Sequence, residues 1–340
     1  MNKKIKVSII GIGRIGMLLE NDKKRVKPAT HFGMWKSNKN VNFEAVCDED
    51  NSKLKIAKKM YKNIKTYKDA KQMLAEVKPK IVSISTWKDT HFKFCKMCIL
   101  NGVKVIVLEK PLANTVKQSK ILINLIKKYK TKVLVNHRRR YDDEVIRLRN
   151  IIKKKKIGKI KQVSCFYVYG LLTTGTHVVD TLRMLLNDVA GEIIKVVGFK
   201  NNNNDFTPKD DKNYDAVLVF KNGLKVFMQS LNIKDFDIFD FHFYGSKGKI
   251  LFTEIGRSAY VNNIKKSPEH TNFTELDNKP IKIFGSQPRK QFKKLSENAI
   301  LCLKKNHKPM CTALDSFIDM KIIQAIKISA NNNSKTIKIK

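Results

Sequence analysis

Residues Ile5-Lys6-Val7-Ser8-Ile9-Ile10 run straight into Gly11-Ile12-Gly13-Arg14-Ile15-Gly16, and no other stretch limits the fold as sharply. The short apolar run reads as a buried parallel strand, and Gly-x-Gly-x-x-Gly directly after it reads as a turn that cradles a diphosphate. Gly11 permits the tight turn, Gly13 lets the backbone approach a pyrophosphate, and Gly16 lets the next helix pack against the strand. That helix is expected to open at Met17-Leu18-Leu19-Glu20. Its first amides have no partners inside the helix and favour an anion. Arg14 and Ile15 lie in the same turn and count with Gly11 and Gly13 as candidate dinucleotide contacts.

Such a turn calls for an acid at the end of the next strand, to take the hydroxyls of the adenosine ribose. Val41-Asn42-Phe43-Glu44-Ala45-Val46-Cys47-Asp48 supplies it, with Asp48 just past the apolar run. The acid usually follows the glycines by about 20 residues. Here positions 16 and 48 are 32 apart, so something is inserted. The candidate is the polar stretch from Asn21 to Asn40, where Pro28 bars continuation of the first helix. Thr30 and His31 within it either roof a cofactor cleft or sit on a surface loop. A carboxylate repels a 2′-phosphate, so Asp48 predicts NAD in preference to NADP.

A chain of 340 residues is too long for one ordinary core and suits two domains, and its 42% hydrophobic content suits a globular protein. No apolar run reaches the roughly 18–20 residues of a membrane span. Lys3 and Lys4 before an apolar run resemble a leader, but Arg14 interrupts the run and the glycines have a better use. The six cysteines, at 47, 95, 98, 165, 302 and 311, are scattered, and nothing completes a zinc set around Cys95-x-x-Cys98. They read as reduced core thiols of a cytoplasmic protein without a metal. The net charge of +39 comes from lysines spread along the whole chain beside abundant Asn and Ile. A nucleic-acid binder clusters its basic groups, so no such partner is expected. A basic surface does concentrate anionic substrates.

The first half alternates in βαβ fashion. Helices are expected over 52–60, 67–77, 88–101 (closed by Gly102) and 115–130, the last with Ile121, Leu122, Leu125 and Ile126 on one face. Strands are expected over 81–85, 103–108 and 132–135, running out into Thr86-Trp87, Glu109-Lys110-Pro111 and Asn136-His137-Arg138-Arg139-Arg140-Tyr141. The pattern predicts a doubly wound parallel sheet over 1–136, which binds ligands beyond the carboxyl ends of its strands. From 137 to 340 an α+β domain is expected, with a largely antiparallel sheet carrying helices on one face. Its elements are helices over 144–156 and 174–186, and strands over 159–169, 193–199, 215–220, 224–233 and 239–243. Asn222-Gly223 signals a hairpin between two of these strands, and Asn201–Asn204 with Pro208 reads as a loop.

The glycine turn, Asp48, the Thr86…His91 segment and Glu109-Lys110-Pro111 together resemble the glucose–fructose oxidoreductase and inositol dehydrogenase family. The resemblance continues through Pro111-Leu112-Ala113, Val135-Asn136-His137 and the segment from Gly170 to Asp180. Gly245-Ser246-Lys247-Gly248-Lys249-Ile250 and the closing stretch from Asn306 to Ala330 extend it to nearly the whole chain. It implies an NAD-dependent oxidoreductase of sugars or sugar derivatives, with Lys110 at the active site and the bond before Pro111 often cis. It further implies that Thr86, His91, Glu109 and Lys110 line the cofactor, and that copies pair through the C-terminal sheet as a homodimer or homotetramer. The closing helices are expected to pack back on the first domain.

Oxidising a secondary alcohol needs a base for the hydroxyl proton while hydride leaves carbon. His177, which titrates near the working pH, is the natural base, and Lys110 the orienting and electrostatic group. Many relatives carry an Asp four residues before the histidine; this chain has Thr173, which serves as a hydrogen-bond partner or helix cap. Asp180, at i+3 from His177, is close enough to orient the ring or contact substrate. Arg138, Arg139 and Arg140 before Tyr141 read equally as forks for a carboxylate or phosphate and as a basic loop, with Arg139 and Tyr141 the substrate candidates. The alternatives within the same fold are a dinucleotide-binding sensor and a hydrolase that oxidises and re-reduces its substrate on a retained cofactor.

Overall fold

The computed structural model describes residues 4–201, 207 and 210–339. Asn202, Asn203, Asn204 and Pro208 of the expected loop therefore lie outside the described residues. The chain divides into two compact units, Met1–Asp142 with Pro288–Ile318, and Asp143–Gln287 with Asp319–Lys340. Residues 137–142 thus count with the first unit, where the sequence places the boundary after 136. No helix among the described residues is long and apolar enough to cross a membrane.

The first unit is built on six strands: β1 (Ile5–Ile10), β2 (Val41–Cys47), β3 (Lys65–Tyr67), β4 (Ile81–Ile84), β5 (Val105–Leu108) and β6 (Lys132–Val135). They lie in the order β3-β2-β1-β4-β5-β6 and pair in parallel throughout. Val7, Ile9, Ile81, Val82, Ile84 and Val105–Leu108 are fully buried, as expected of a parallel sheet covered on both faces. The order reverses between β1 and β4, and the glycine turn leaves β1 at that switch point. Helices α1 (His31–Lys36), α2 (Asn51–Met60), α3 (Ala70–Val77), α4 (Lys88–Leu100) and α5 (Val116–Tyr129) connect the strands. The stretch 67–77 is not one helix. Tyr67 closes strand β3, and Asp69 caps a helix starting at Ala70 by accepting from the Gln72 amide at 2.7 Å.

The connection from β1 to β2 departs most from expectation. No continuous helix follows Gly16: one turn, with Met17 N–H donating to Gly13 O at 2.9 Å, gives way to a single tight turn at Leu18–Asn21. The chain then leaves and returns at Thr30, whose hydroxyl caps α1 by accepting from the Gly33 amide at 3.0 Å. His31 N–H donates to Ile15 O at 3.2 Å and Phe32 N–H to Gly16 O at 2.8 Å. An uninterrupted helix would bond those carbonyls to residues 19 and 20. The helix is therefore one helix with a twelve-residue excursion spliced into it, the gap between 19 and 31. That length accounts for the late arrival of Asp48. Glu20 fastens the excursion, its carboxylate taking the Ala29 amide at 2.9 Å and the Thr30 hydroxyl at 2.7 Å. The second half of 21–40 is core: Phe32, Met34 and Trp35 are buried, and His31 is wholly inaccessible.

The second unit starts with α6 (Asp143–Lys153), β7 (Ile160–Tyr167) and α7 (Thr176–Ala190). Strands β8 (Ile193–Lys200), β9 (Tyr214–Phe220), β10 (Lys225–Ser230), β11 (Phe239–Gly245), β12 (Gly248–Thr253), β13 (Ser258–Lys266), β14 (Thr274–Leu276) and β15 (Ile281–Phe284) follow. Helix α8 (Gln291–Lys304) belongs to the first unit; α9 (Ala313–Asn331) and β16 (Ile337–Lys338) close the chain. The sheet runs β14-β13-β12-β11-β7-β10-β9-β8-β16 with β15 against β13, antiparallel except for the β7–β10 pair. Gly223 (φ +89°) makes the β9–β10 hairpin turn read from Asn222-Gly223. The closing helices do not start at Asn306: α8 ends at Lys304, and 306–312 is a connection to α9.

Candidate active site

The three glycines of the turn play three different parts. Gly11 has φ +86°, and a Cβ there would stand 2.6 Å from the Thr86 Cγ2 and 2.7 Å from the Thr86 amide nitrogen, so the position demands glycine. A Cβ on Gly16 would stand 2.4 Å from Gly11 O, which fixes glycine where the turn folds back on itself. A Cβ on Gly13 would meet nothing within 4 Å. Gly13 is thus exempt from packing constraints and faces open space, as approach by a diphosphate requires. Among the described hydrogen bonds none uses the amides of Gly13, Arg14, Ile15 or Gly16 as donors. The residues present fit a dinucleotide.

Asp48 is wired into this turn. Its Oδ2 accepts the Ile12 amide at 2.9 Å and its Oδ1 the Asp50 amide at 3.1 Å, while Gly11 N–H donates to Cys47 O at 2.8 Å. The strand end and the glycine loop are held as one piece. Lys53 Nζ lies 3.3 Å from Asp48 Oδ1 and 3.5 Å from Asp50 Oδ2. Partial burial works against the Lys53 charge, but the two carboxylates outweigh it and hold its ammonium above the ordinary lysine range. Lys53 has no sequence signal beyond its place five residues after Asp48.

Beyond β4 and β5 the other expected cofactor residues come together in the first unit. Thr86 packs on Gly11 and its hydroxyl accepts from the Thr90 hydroxyl at 2.7 Å. His91, buried, sets Nδ1 2.7 Å from Pro111 O and Nε2 3.1 Å from Thr86 O. It joins the two loops that follow β4 and β5, so its part is to hold them rather than to touch a ligand. Burial lowers its pKa, the carbonyl contacts acting against that shift. Glu109 Oε1 receives Asn136 Nδ2 at 2.6 Å and lies 2.9 Å from His31 Nε2, and only 12% of the side chain is exposed. Burial raises the Glu109 pKa, but His31, Asn136 and the neighbouring Lys110 charge together bring it below the ordinary value. Lys110 is half-buried, and its bond to Pro111 is cis.

The Arg138–Tyr141 turn also lies in the first unit. Arg140 reaches Met310 O at 3.5 Å and the Asp315 carboxylate at 3.4 Å, so it ties the turn to the chain's later return. Arg139 is buried; Tyr141 is 1% exposed with its hydroxyl donating to Val135 O at 3.4 Å. Tyr141 is a core residue, buried away from the position a substrate contact requires.

In the second unit Gly170 (φ +87°) opens a wide turn over Leu171–Gly175 that leads into α7. The Asp211 carboxylate accepts the Leu172 amide at 2.7 Å and the Thr173 amide at 2.6 Å. A Cβ on Gly170 would stand 2.4 Å from Asp211 Oδ2, so glycine and acid require one another. Asp211 caps the segment that carries Thr173 and His177, and nothing local in the sequence marks it. His177 is half-buried on the first turn of α7; Asp180 one turn on is buried. The Asp180 and Asp319 carboxylates lie within 4.8 Å of one another, and Arg183 pairs with Asp319 at 2.7 Å. The Arg183 guanidinium thus answers Asp319, whose carboxylate neighbours that of Asp180 on the helix bearing His177.

Comparison with known proteins agrees with this geometry. Residues 5–137 match the family model described as "Oxidoreductase family, NAD-binding Rossmann fold", and residues 169–339 match its "C-terminal alpha/beta domain". The uncharacterized oxidoreductase YhhX of Escherichia coli is 24% identical over 56% of this chain and 58% of its own length. Inositol 2-dehydrogenase of Salmonella typhimurium is 28% identical over 54% of this chain and 55% of its own. The chain thus spans about half the length of these curated relatives. The crystal structure of the WlbA dehydrogenase from Bordetella pertussis, in complex with NADH and UDP-GlcNAcA, superposes with a TM-score of 0.77 over 99% of this chain and 98% of that one, at 15% identity. That likeness is one of fold. The chain belongs to the Gfo/Idh/MocA oxidoreductase family, with its NAD-binding Rossmann domain followed by its C-terminal alpha/beta domain.

Proposed function

We propose that the chain is an NAD-dependent oxidoreductase acting on a secondary alcohol, or the corresponding ketone, of a sugar or sugar derivative. One observation carries the reading. The Gly11–Gly16 turn, with open space over Gly13 and Asp48 fastened to it, stands at the switch point of a parallel sheet in which β4 and then β5 follow, β5 running out into Glu109-Lys110-Pro111. The nicotinamide, when bound, accepts or supplies the hydride. Gly11, Gly13, Arg14 and Ile15 receive the diphosphate, and Asp48 takes the adenosine ribose. Thr86, Glu109 and Lys110 border the rest of the cofactor.

Lys110 holds the substrate hydroxyl and stabilises charge that develops on its oxygen. His177 takes the hydroxyl proton, Thr173 offers a hydrogen bond, and Asp180 orients the imidazole or meets the substrate. Arg139 and the strongly basic surface suit an anionic sugar derivative. The name inositol 2-dehydrogenase and the nucleotide-sugar ligand of the Bordetella enzyme support a polyhydroxylated substrate. The six cysteines are all free and buried, which supports a reducing cytoplasmic setting. The exposed side of the C-terminal sheet suits pairing with a second copy.

Calorimetric titration with NADH and NADPH tests the cofactor half of the reading. NADH is expected to bind more tightly, and Asp48→Ser to narrow the gap by removing repulsion. Equal or reversed affinities in the unmodified chain would refute the role given to Asp48.

A further inference from the structure

We infer that Lys53 sets how far the chain discriminates between the two pyridine dinucleotides, by competing with ribose hydroxyls for Asp48 and by offering its ammonium to a 2′-phosphate. The inference rests on the cofactor reading given above. Asp48 is not a bare anion. Its Oδ2 accepts the Ile12 amide at 2.9 Å, and its Oδ1 accepts the Asp50 amide at 3.1 Å and faces Lys53 Nζ at 3.3 Å. A carboxylate has about four lone-pair sites in all. Amide and ammonium together engage both sites of Oδ1 and the Ile12 amide one of two on Oδ2, so a ribose diol, which needs two acceptor sites, must displace a donor from Oδ1.

The two donors on Oδ1 differ in how readily they leave. The Asp50 amide is backbone at the start of α2 and fixed there by the Asp50 side chain's own cap on Ser52. Lys53 hangs on a flexible stem, and 29% of its side chain is exposed against 9% for Asp48. Binding of an unphosphorylated ribose therefore releases the ammonium from Oδ1. A 2′-phosphate at the same place meets the Asp48 charge but also gains the Lys53 ammonium, which pivots toward it. Lys53 thus acts against the discrimination that Asp48 provides: it taxes NADH and partly compensates NADPH. The preference for NADH is smaller than an isolated aspartate would give.

The test is a fluorescence titration of the full chain with NADH and NADPH, comparing the unmodified protein with Lys53→Gln and Lys53→Arg. Lys53→Gln is expected to weaken NADPH by about three- to tenfold while NADH binds equally or more tightly. Lys53→Arg keeps the original ratio. Affinity for NADPH should fall more steeply with salt in the unmodified chain than in Lys53→Gln. If Lys53→Gln moves both affinities by one common factor, or moves neither, Lys53 has no part in selection and the inference fails. Failure of the unmodified chain to bind either dinucleotide overturns the cofactor reading itself, a different outcome from a common shift.

Discussion

His31 Nε2 stands 2.9 Å from Glu109 Oε1, the oxygen that also takes Asn136 Nδ2 at 2.6 Å. The pair links the returning half of the interrupted helix to the residue before Lys110, 78 positions away in sequence. The His31 ring is also braced edge-on by Phe292 of α8, with centroids 5.5 Å apart. Two donors on one oxygen anchor the Glu109 carboxylate.

A pH dependence follows from this anchoring. The folded-state pKa of Glu109 lies below its ordinary 4.5, burial being outweighed by its donors. A depressed carboxylate stabilises the fold above its unfolded pKa and ceases to do so as pH falls through the folded value. Urea midpoints should therefore drop on acidification below about pH 4.5, and Glu109→Gln should flatten that acid limb while lowering stability at neutral pH. An unchanged acid limb in the variant contradicts the anchoring.

Removing the donor should cost stability by an amount set by the oxygen left behind. His31→Phe leaves Glu109 with Asn136 alone and is expected to cost about 1–3 kcal/mol in chemical denaturation, whereas His31→Gln, which keeps a side-chain N–H, should cost clearly less. Equal losses in the two variants would mean that His31 acts through its volume.

Gly33 and Glu20 form a second testable pair. A Cβ on Gly33 would come within 2.2–2.5 Å of the Glu20 carboxylate atoms, the same carboxylate that fastens Ala29 and Thr30. Gly33→Ala should displace it and cost about 1–3 kcal/mol of stability by losing those two bonds. In a Glu20→Ala background the same substitution should cost almost nothing further, a non-additivity that a double-mutant cycle reads directly.

At the chemical step, Lys110→Ala and His177→Ala should each lower turnover strongly while NADH affinity barely changes. General acid–base assistance contributes roughly 10²- to 10⁴-fold, which sets the expected loss for His177→Ala. On the proposed reading, in which both groups serve one step, the double variant should lose less than the product of the two. Thr173→Ala should cost far less, and a crippled Thr173→Ala beside an intact His177→Ala would redraw the proton path.

Much of the first unit was legible in the sequence because strands buried on both faces are continuous apolar runs, as at Ile81–Ile84 and Val105–Leu108. The glycine turn announces itself by its spacing, and Asp48 by its place at the end of an apolar run in spite of the long gap from Gly16. The interrupted helix did not, because the Lys27-Pro28 surroundings hide the short Phe32, Met34, Trp35 run that buries it. Strands β14 and β15 escaped notice for a related reason: Thr274–Leu276 is wholly exposed and Ile281–Phe284 mostly so, with no core-facing alternation to read. At the candidate site, the bond of His31 to Glu109 and the whole part of Asp211 were not legible, because Glu109 and the Leu172–Thr173 amides lie 78 and 38–39 positions away. A single polar residue in a polar stretch carries no mark of what it will meet.

The central claim is hydride transfer between a nicotinamide and a sugar-like alcohol, and isotope transfer tests it most directly. The full chain is incubated with NAD and a panel of sugars, cyclitols, sugar acids and nucleotide sugars, and NADH absorbance identifies the substrate. A substrate deuterated at the oxidised carbon should then deliver its deuterium to the nicotinamide, and His177→Ala should slow that transfer while still binding NADH. Contradiction would come from a panel compound that is cleaved while NAD ends unchanged and unlabelled, or from deuterium transfer at full rate in His177→Ala.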